Sequence, residues 1–173
     1  MAGNSSMKGR QTVRDMVLSM AAIGVVVAVG YLFLPHGGGD GVHVVDYRSS
    51  LASAKRAAPY PLLGPEGLSD KWRATSVEYG QDAKGNATWH LGFVTPSGDY
   101  AAIEQSNGAR DQVIENVVAG AKPDGSATVG GKPWERYQGS QYRGLTVQTG
   151  SATTVVTGSA SYQELSELAQ SLK

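Results

Sequence analysis

Residues 87–105 read ATWHLGFVTPSGDYAAIEQ, and this stretch decides the fold. Ala87, Trp89, Leu91 and Phe93 alternate with more polar neighbours, the period of a half-buried strand. Pro96-Ser97-Gly98-Asp99 is a tight turn, and Tyr100–Gln105 returns as a second strand. Upstream, Gln81–Asn86 (QDAKGN) is another turn, entered from a strand over Trp72–Tyr79. Short polar turns between successive strands give an antiparallel meander.

Downstream the period changes. Val113, Ile114, Val117, Val118 and Ala121 recur at helical spacing, after Ser106 or Asn107 as helix starters and before Gly120 and Pro123. Arg110, Asp111 and Glu115 would then face solvent. A second meander follows over Ala127–Val129, Lys132–Gln138, Gly144–Thr149 and Thr153–Thr157, with turns at Gly130-Gly131 and Gly150-Ser151. Ser161-Tyr162-Gln163-Glu164 is a capping box opening a last helix lined by Leu165, Leu168, Ala169 and Leu172. Before the first meander, Val44, Val45, Tyr47, Leu51 and Ala54 have helical spacing up to Pro59, and Pro59–Gly67 is an irregular loop. The order is α-βββ-α-βββ(β)-α. Strand sets must have their apolar faces covered, and the helices are the available covers. The expected fold is therefore α+β, a mostly antiparallel sheet of six or seven strands packed with helices, over residues 44–173.

The N-terminal third has different physics. Met16 to Leu34 (MVLSMAAIGVVVAVGYLFL) carries no charge and is apolar on every side, with Met16, Val17, Leu18, Ile23, Val27, Tyr31 and Leu34 marking its length. As a helix it would be roughly 28 Å long, close to the hydrocarbon thickness of a bilayer. Lys8, Arg10 and Arg14 precede it, whereas no Lys or Arg follows before Arg48. The asymmetry keeps residues 1–15 in the cytoplasm and places the domain outside, at the plasma membrane. A cleaved signal would end in a small-x-small site, and Leu32-Phe-Leu-Pro-His36 offers none, so the helix is expected to remain as a single-pass anchor. Residues 35–43 form a linker.

Composition narrows function. The chain has 173 residues, formal net charge +0 and 17% charged residues, so nothing marks it as a nucleic-acid binder. It has no cysteine, which excludes disulfides, thiol catalysis and thiolate metal sites. No Gly-x-Ser-x-Gly, phosphate loop or dinucleotide fingerprint occurs. His36 and His43 flank the linker without metal-ligand spacing, and His90 lies opposite the apolar face of its strand with no partner set in the sequence. Glu78, Asp82, Asp99, Glu104 and Glu135 are scattered over strands and turns, where solvated acids are ordinary. The sequence thus nominates no catalytic residue, metal or cofactor. Trp72, Trp89 and Trp134, with several tyrosines, either pack the core or form a binding surface.

Certain segments resemble the actinobacterial family known as domain of unknown function 4245: Trp72-Arg-Ala-Thr, His90-Leu-Gly-Phe-Val-Thr-Pro-Ser-Gly-Asp-Tyr100-Ala, Glu104-Gln-Ser, and Val155-Val-Thr-Gly158 followed by Glu164-Leu and Leu168-Ala. The resemblance implies a membrane-anchored extracytoplasmic protein of actinomycetes and supplies no functional residues. Three readings follow: a non-enzymatic cell-envelope module partnered by the bilayer and another envelope protein; an envelope hydrolase using Glu78, Glu104 or His90; and a small-ligand carrier with a pocket between helix and sheet.

Overall fold

The structure, a computed structural model, describes Met20 and residues 43–173. The expected anchor over 16–34 therefore lies, apart from Met20, outside the described residues. Among these, no helix is long and apolar enough to cross a membrane.

Three helices and seven strands make up the domain: α1 (Arg48–Ala57), β1 (Arg73–Gln81), β2 (Ala87–Val94), β3 (Tyr100–Ser106), α2 (Arg110–Val117), β4 (Lys122–Val129), β5 (Lys132–Gln138), β6 (Arg143–Thr149), β7 (Ala152–Gly158) and α3 (Tyr162–Gln170). All strands join one sheet in the order β1-β2-β3-β7-β6-β5-β4, and every neighbouring pair is antiparallel. Two meanders thus meet back to back at β3 and β7, Ile103 opposite Val156.

The turns form as their residues require. Gly85 and Gly98 take φ +81° and +90° in the turns of the first meander, and Gly130 and Gly131 take +58° and +77° between β4 and β5. Two successive left-handed residues give the hairpin turn whose twist matches the strands, and glycine adopts it without a Cβ clash. α3 opens with the expected capping box, Ser161 Oγ accepting from the Glu164 N–H at 3.2 Å while the Glu164 carboxylate accepts from the Ser161 N–H at 3.3 Å.

One sheet face carries the main core. Trp89, Leu91 and Phe93 of β2, Ile103 of β3, Val156 of β7 and Leu145 of β6 are fully buried there. They lie beneath Ala54 of α1 and Leu165, Leu168 and Ala169 of α3. Trp72 and Tyr47 meet Phe93 edge-on, at 6.1 and 5.8 Å between centroids. Gln105, buried on this face, fixes the loop after α1: its Oε1 accepts the Leu63 N–H at 2.7 Å and its Nε2 donates to Thr154 Oγ1 at 2.9 Å. The C-terminus is stitched to the same loop by reciprocal Gly64–Lys173 backbone hydrogen bonds.

The other face is covered only in part. Val113, Ile114 and Val118 from α2 and its C-terminal end pack with Val155 and, more peripherally, Tyr137. The surface of β1–β3 beside them is left to polar side chains.

Several boundaries differ from the sequence expectation. The first helix starts at Arg48 rather than Val44, because the Val45 N–H instead donates to the Ala74 carbonyl along the edge of β1. Neither Ser106 nor Asn107 caps α2. Ser106 ends β3, and Ala109 precedes α2 without a side-chain cap. Pro123, read as a helix stop, lies inside β4, which is longer than expected. That strand is an edge of the sheet, the place where strands tolerate proline. The three tryptophans are 6%, 0% and 5% exposed at Trp72, Trp89 and Trp134, so they build the core.

Candidate functional site

The hairpin turns set the register that builds the site. Counting back from Pro96–Asp99 places His90 opposite Glu104, and counting back from the Asp82–Asn86 turn places Glu78 opposite His90. A bulge lies between Ala74 and Ser76. It inserts one residue, so Ala74 points into the core beside Phe93 while Ser76 lies opposite Gly92 on the other face. Ser76, His90 and Glu104 thereby come together on three adjacent strands.

They are hydrogen-bonded in series. His90 Nδ1 is 2.6 Å from Glu104 Oε1, and His90 Nε2 is 2.7 Å from Ser76 Oγ. An ionised carboxylate only accepts, so Nδ1 carries the proton; the neutral ring then accepts the Ser76 hydroxyl proton at Nε2. The histidine and glutamate side chains are 28% and 20% exposed, so the pair is shielded yet reachable. The hydrogen bond to Glu104 raises His90 above the ordinary imidazole range; burial opposes this, and the charges of Glu104 and Glu78 assist it.

The raised value has a consequence for stability. Folded His90 holds its proton more tightly than unfolded His90, so its contribution is full below the unfolded value near 6.5 and is lost as pH rises through the folded value. Thermal melts from pH 5.5 to 8.5 are expected to show a fall in Tm over the upper part of this range that His90→Gln flattens; an unchanged slope in the variant would contradict the assignment.

Gly92 leaves the floor of the group open. A methyl there would collide with Ser76 Oγ and stand 3.2 Å from Tyr100 Oη. Tyr100 lies against Tyr142, centroids 5.8 Å apart. Its hydroxyl is pushed up to about 12, by burial first and then by the charge of Glu104 and by Tyr142, so it stays a donor at neutral pH.

Glu104 also lines a cleft of about 450 Å³ between α2, the β1–β2 turn and the ends of β2 and β3. Val113 and Val117 form its apolar side, while Thr88, Ser106, Gln112 and Asn116 contribute polar groups. The turn wall is rigid. Asp82 Oδ1 accepts the N–H groups of Lys84 and Asn86, and Oδ2 accepts Asn86 Nδ2 at 2.8 Å, bonds that hold the Asp82 carboxyl below its usual range. α2 is held at one end by Arg110, 2.7 Å from Glu135, and at the other by Glu115, which accepts the Gly120 N–H at 2.8 Å.

Of the residues nominated from sequence, the structure joins His90 with Glu104, sets Glu78 beside them and puts Asp82 in the cleft wall. Glu135 pairs with Arg110, Asp99 lies in the turn after β2, and His43 is exposed. His36 lies outside the described residues. The reading of His90 as partnerless is corrected, since it has two partners. Ser76 was missed, because strict alternation over 72–79 puts it on the face of Ala74. Among the described residues, no group of three or more His, Cys, Asp or Glu could hold a metal ion.

Among solved structures, the chain is similar to one described as "Crystal structure of MucB in complex with MucA(peri)", at 12% identity and a TM-score of 0.39. The match covers 64% of this chain and 35% of that one. No curated protein matches. The family model described as "Protein of unknown function (DUF4245)" matches residues 8–172, and the chain belongs to that family.

Proposed function

We propose that this is a single-pass membrane-anchored protein whose domain works outside the cytoplasm as a binding module of the cell envelope, holding a small polar ligand in the cleft beside α2. The cleft carries the reading. It has the size of a small-ligand site, one apolar wall and a few hydroxyl and amide groups to orient what enters. The uncharged run from Met16 to Leu34 and the basic residues before it support the anchor and its direction. An actinobacterial envelope is the setting that the family resemblance suggests.

Two measurements test this. The chain has no cysteine, so Ser151→Cys, in an exposed turn, gives a single reporter of sidedness. A membrane-impermeant maleimide is expected to label it in intact cells; labelling only after lysis would reject the topology. For the cleft, melting of the full-length protein is followed with monosaccharides, amino acids and dipeptides at millimolar concentration. At least one class should raise Tm for the wild type and not for Asn116→Trp, whose indole would fill the cleft. Equal shifts in both proteins, or none in either, would reject the cleft as a binding site.

A further inference from the structure

The hydrogen-bonded series on β1–β3 has a directionality that packing does not require. When the ring is neutral, a hydroxyl donates to the far nitrogen of an imidazole whose near nitrogen is fixed by a carboxylate, with 2.7 and 2.6 Å contacts. That is the arrangement in which a base removes a proton from a nucleophile and the carboxylate holds the base in the required tautomer. The bulge before Ser76 and the missing side chain at Gly92 put the hydroxyl on the open face. Tyr100 Oη sits over the same glycine, a neutral donor near the atom that would react. The Tyr100 and Tyr142 rings give an apolar wall beside it.

We propose that Ser76 is a nucleophile toward small carboxylic esters of aryl or alkyl alcohols, with His90 as its base, Glu104 as the residue that positions His90, and Tyr100 as donor to the substrate carbonyl oxygen. Ser76 Oγ attacks the carbonyl carbon, forming a new C–O bond as its proton passes to His90 Nε2. The carbonyl oxygen takes up the electron pair and accepts the Tyr100 hydroxyl hydrogen bond. Collapse breaks the bond to the alcohol, which leaves with the proton from His90. Water then repeats the sequence on the acylated serine and releases the acid. This inference is independent of what the cleft binds.

The test uses the full-length protein, a fluorophosphonate probe and p-nitrophenyl acetate. One phosphonyl group is expected on Ser76 by intact mass and peptide mapping, with loss of fluoride. His90→Gln should slow labelling by at least about 100-fold and Tyr100→Phe by about 10- to 100-fold. The wild-type rate should rise with pH through the titration of His90, and Glu104→Gln should move that profile to lower pH. No labelling of the wild type, labelling elsewhere, or equal labelling of Ser76→Ala would overturn the proposal. Should Ser76→Ala fail to show the wild-type circular dichroism, Ser76→Cys replaces it. Its thiol, the sole one in the chain, is expected to react with iodoacetamide at least about 10-fold faster than in the double variant with His90→Gln; equal rates would overturn the proposal too.

Discussion

Gly158→Ala is expected to destabilise the domain by at least about 3 kcal/mol, the upper end for forced overpacking, and to reduce the yield of folded protein sharply. Gly158 ends β7 and faces Ala101 of β3 on one side and Arg143 of β6 on the other. A methyl there would collide with the Tyr100 carbonyl oxygen and stand 2.8 Å from Ala101 Cα. Both obstacles are backbone atoms, so no rotamer change relieves them. Either β7 moves away from β3, opening the joint between the two meanders, or β3 shifts and carries Tyr100 with it. Urea denaturation at neutral pH measures the loss. A variant within about 1 kcal/mol of wild type would show that the joint is looser than the geometry indicates.

Trp89→Ala is expected to cost about 3–5 kcal/mol, the range for truncating a buried aromatic. Trp89 has no exposed surface and lies in the middle of β2, opposite Tyr79 and Gln105. Its indole N–H has no hydrogen-bond partner among the described residues. The side chain therefore contributes through its apolar body, while its one polar group is desolvated without return. A second variant separates the two effects. Trp89→Phe removes the N–H with only part of the volume and is expected to cost about 1–2 kcal/mol. Losses of similar size in both variants would mean that the N–H is satisfied in solution.

Much of the fold was legible because turn chemistry is local. Pro96–Asp99, Gly130-Gly131 and Gly150-Ser151 each end one strand and start the next, and the Ser161–Glu164 box marks α3 without tertiary information. The pairing of β3 with β7 was not legible, since nothing near Ala101 or Val156 names a partner some fifty residues away. His90 facing Glu104 follows by counting from a turn that the sequence displays, so that half of the site was within reach. Ser76 was not, because the bulge beside it leaves no composition signal and reverses which face the residues before it occupy. The helix starting at Arg48 shows the same limit. Val44 and Val45 fit a helical period, and only the nearby edge of β1 offers Val45 a different backbone partner.

The two covers of the apolar sheet face, α1 and α3, come from opposite ends of the domain. A chain emerging from its N-terminus makes the first meander early, yet half its roof is encoded by residues 162–170. The long-range pairings that close the core have to wait for those residues, and contacts of such separation form slowly. The domain thus commits to its native state only once α3 has been made. Until then any step that needs an extended polypeptide competes with no finished fold.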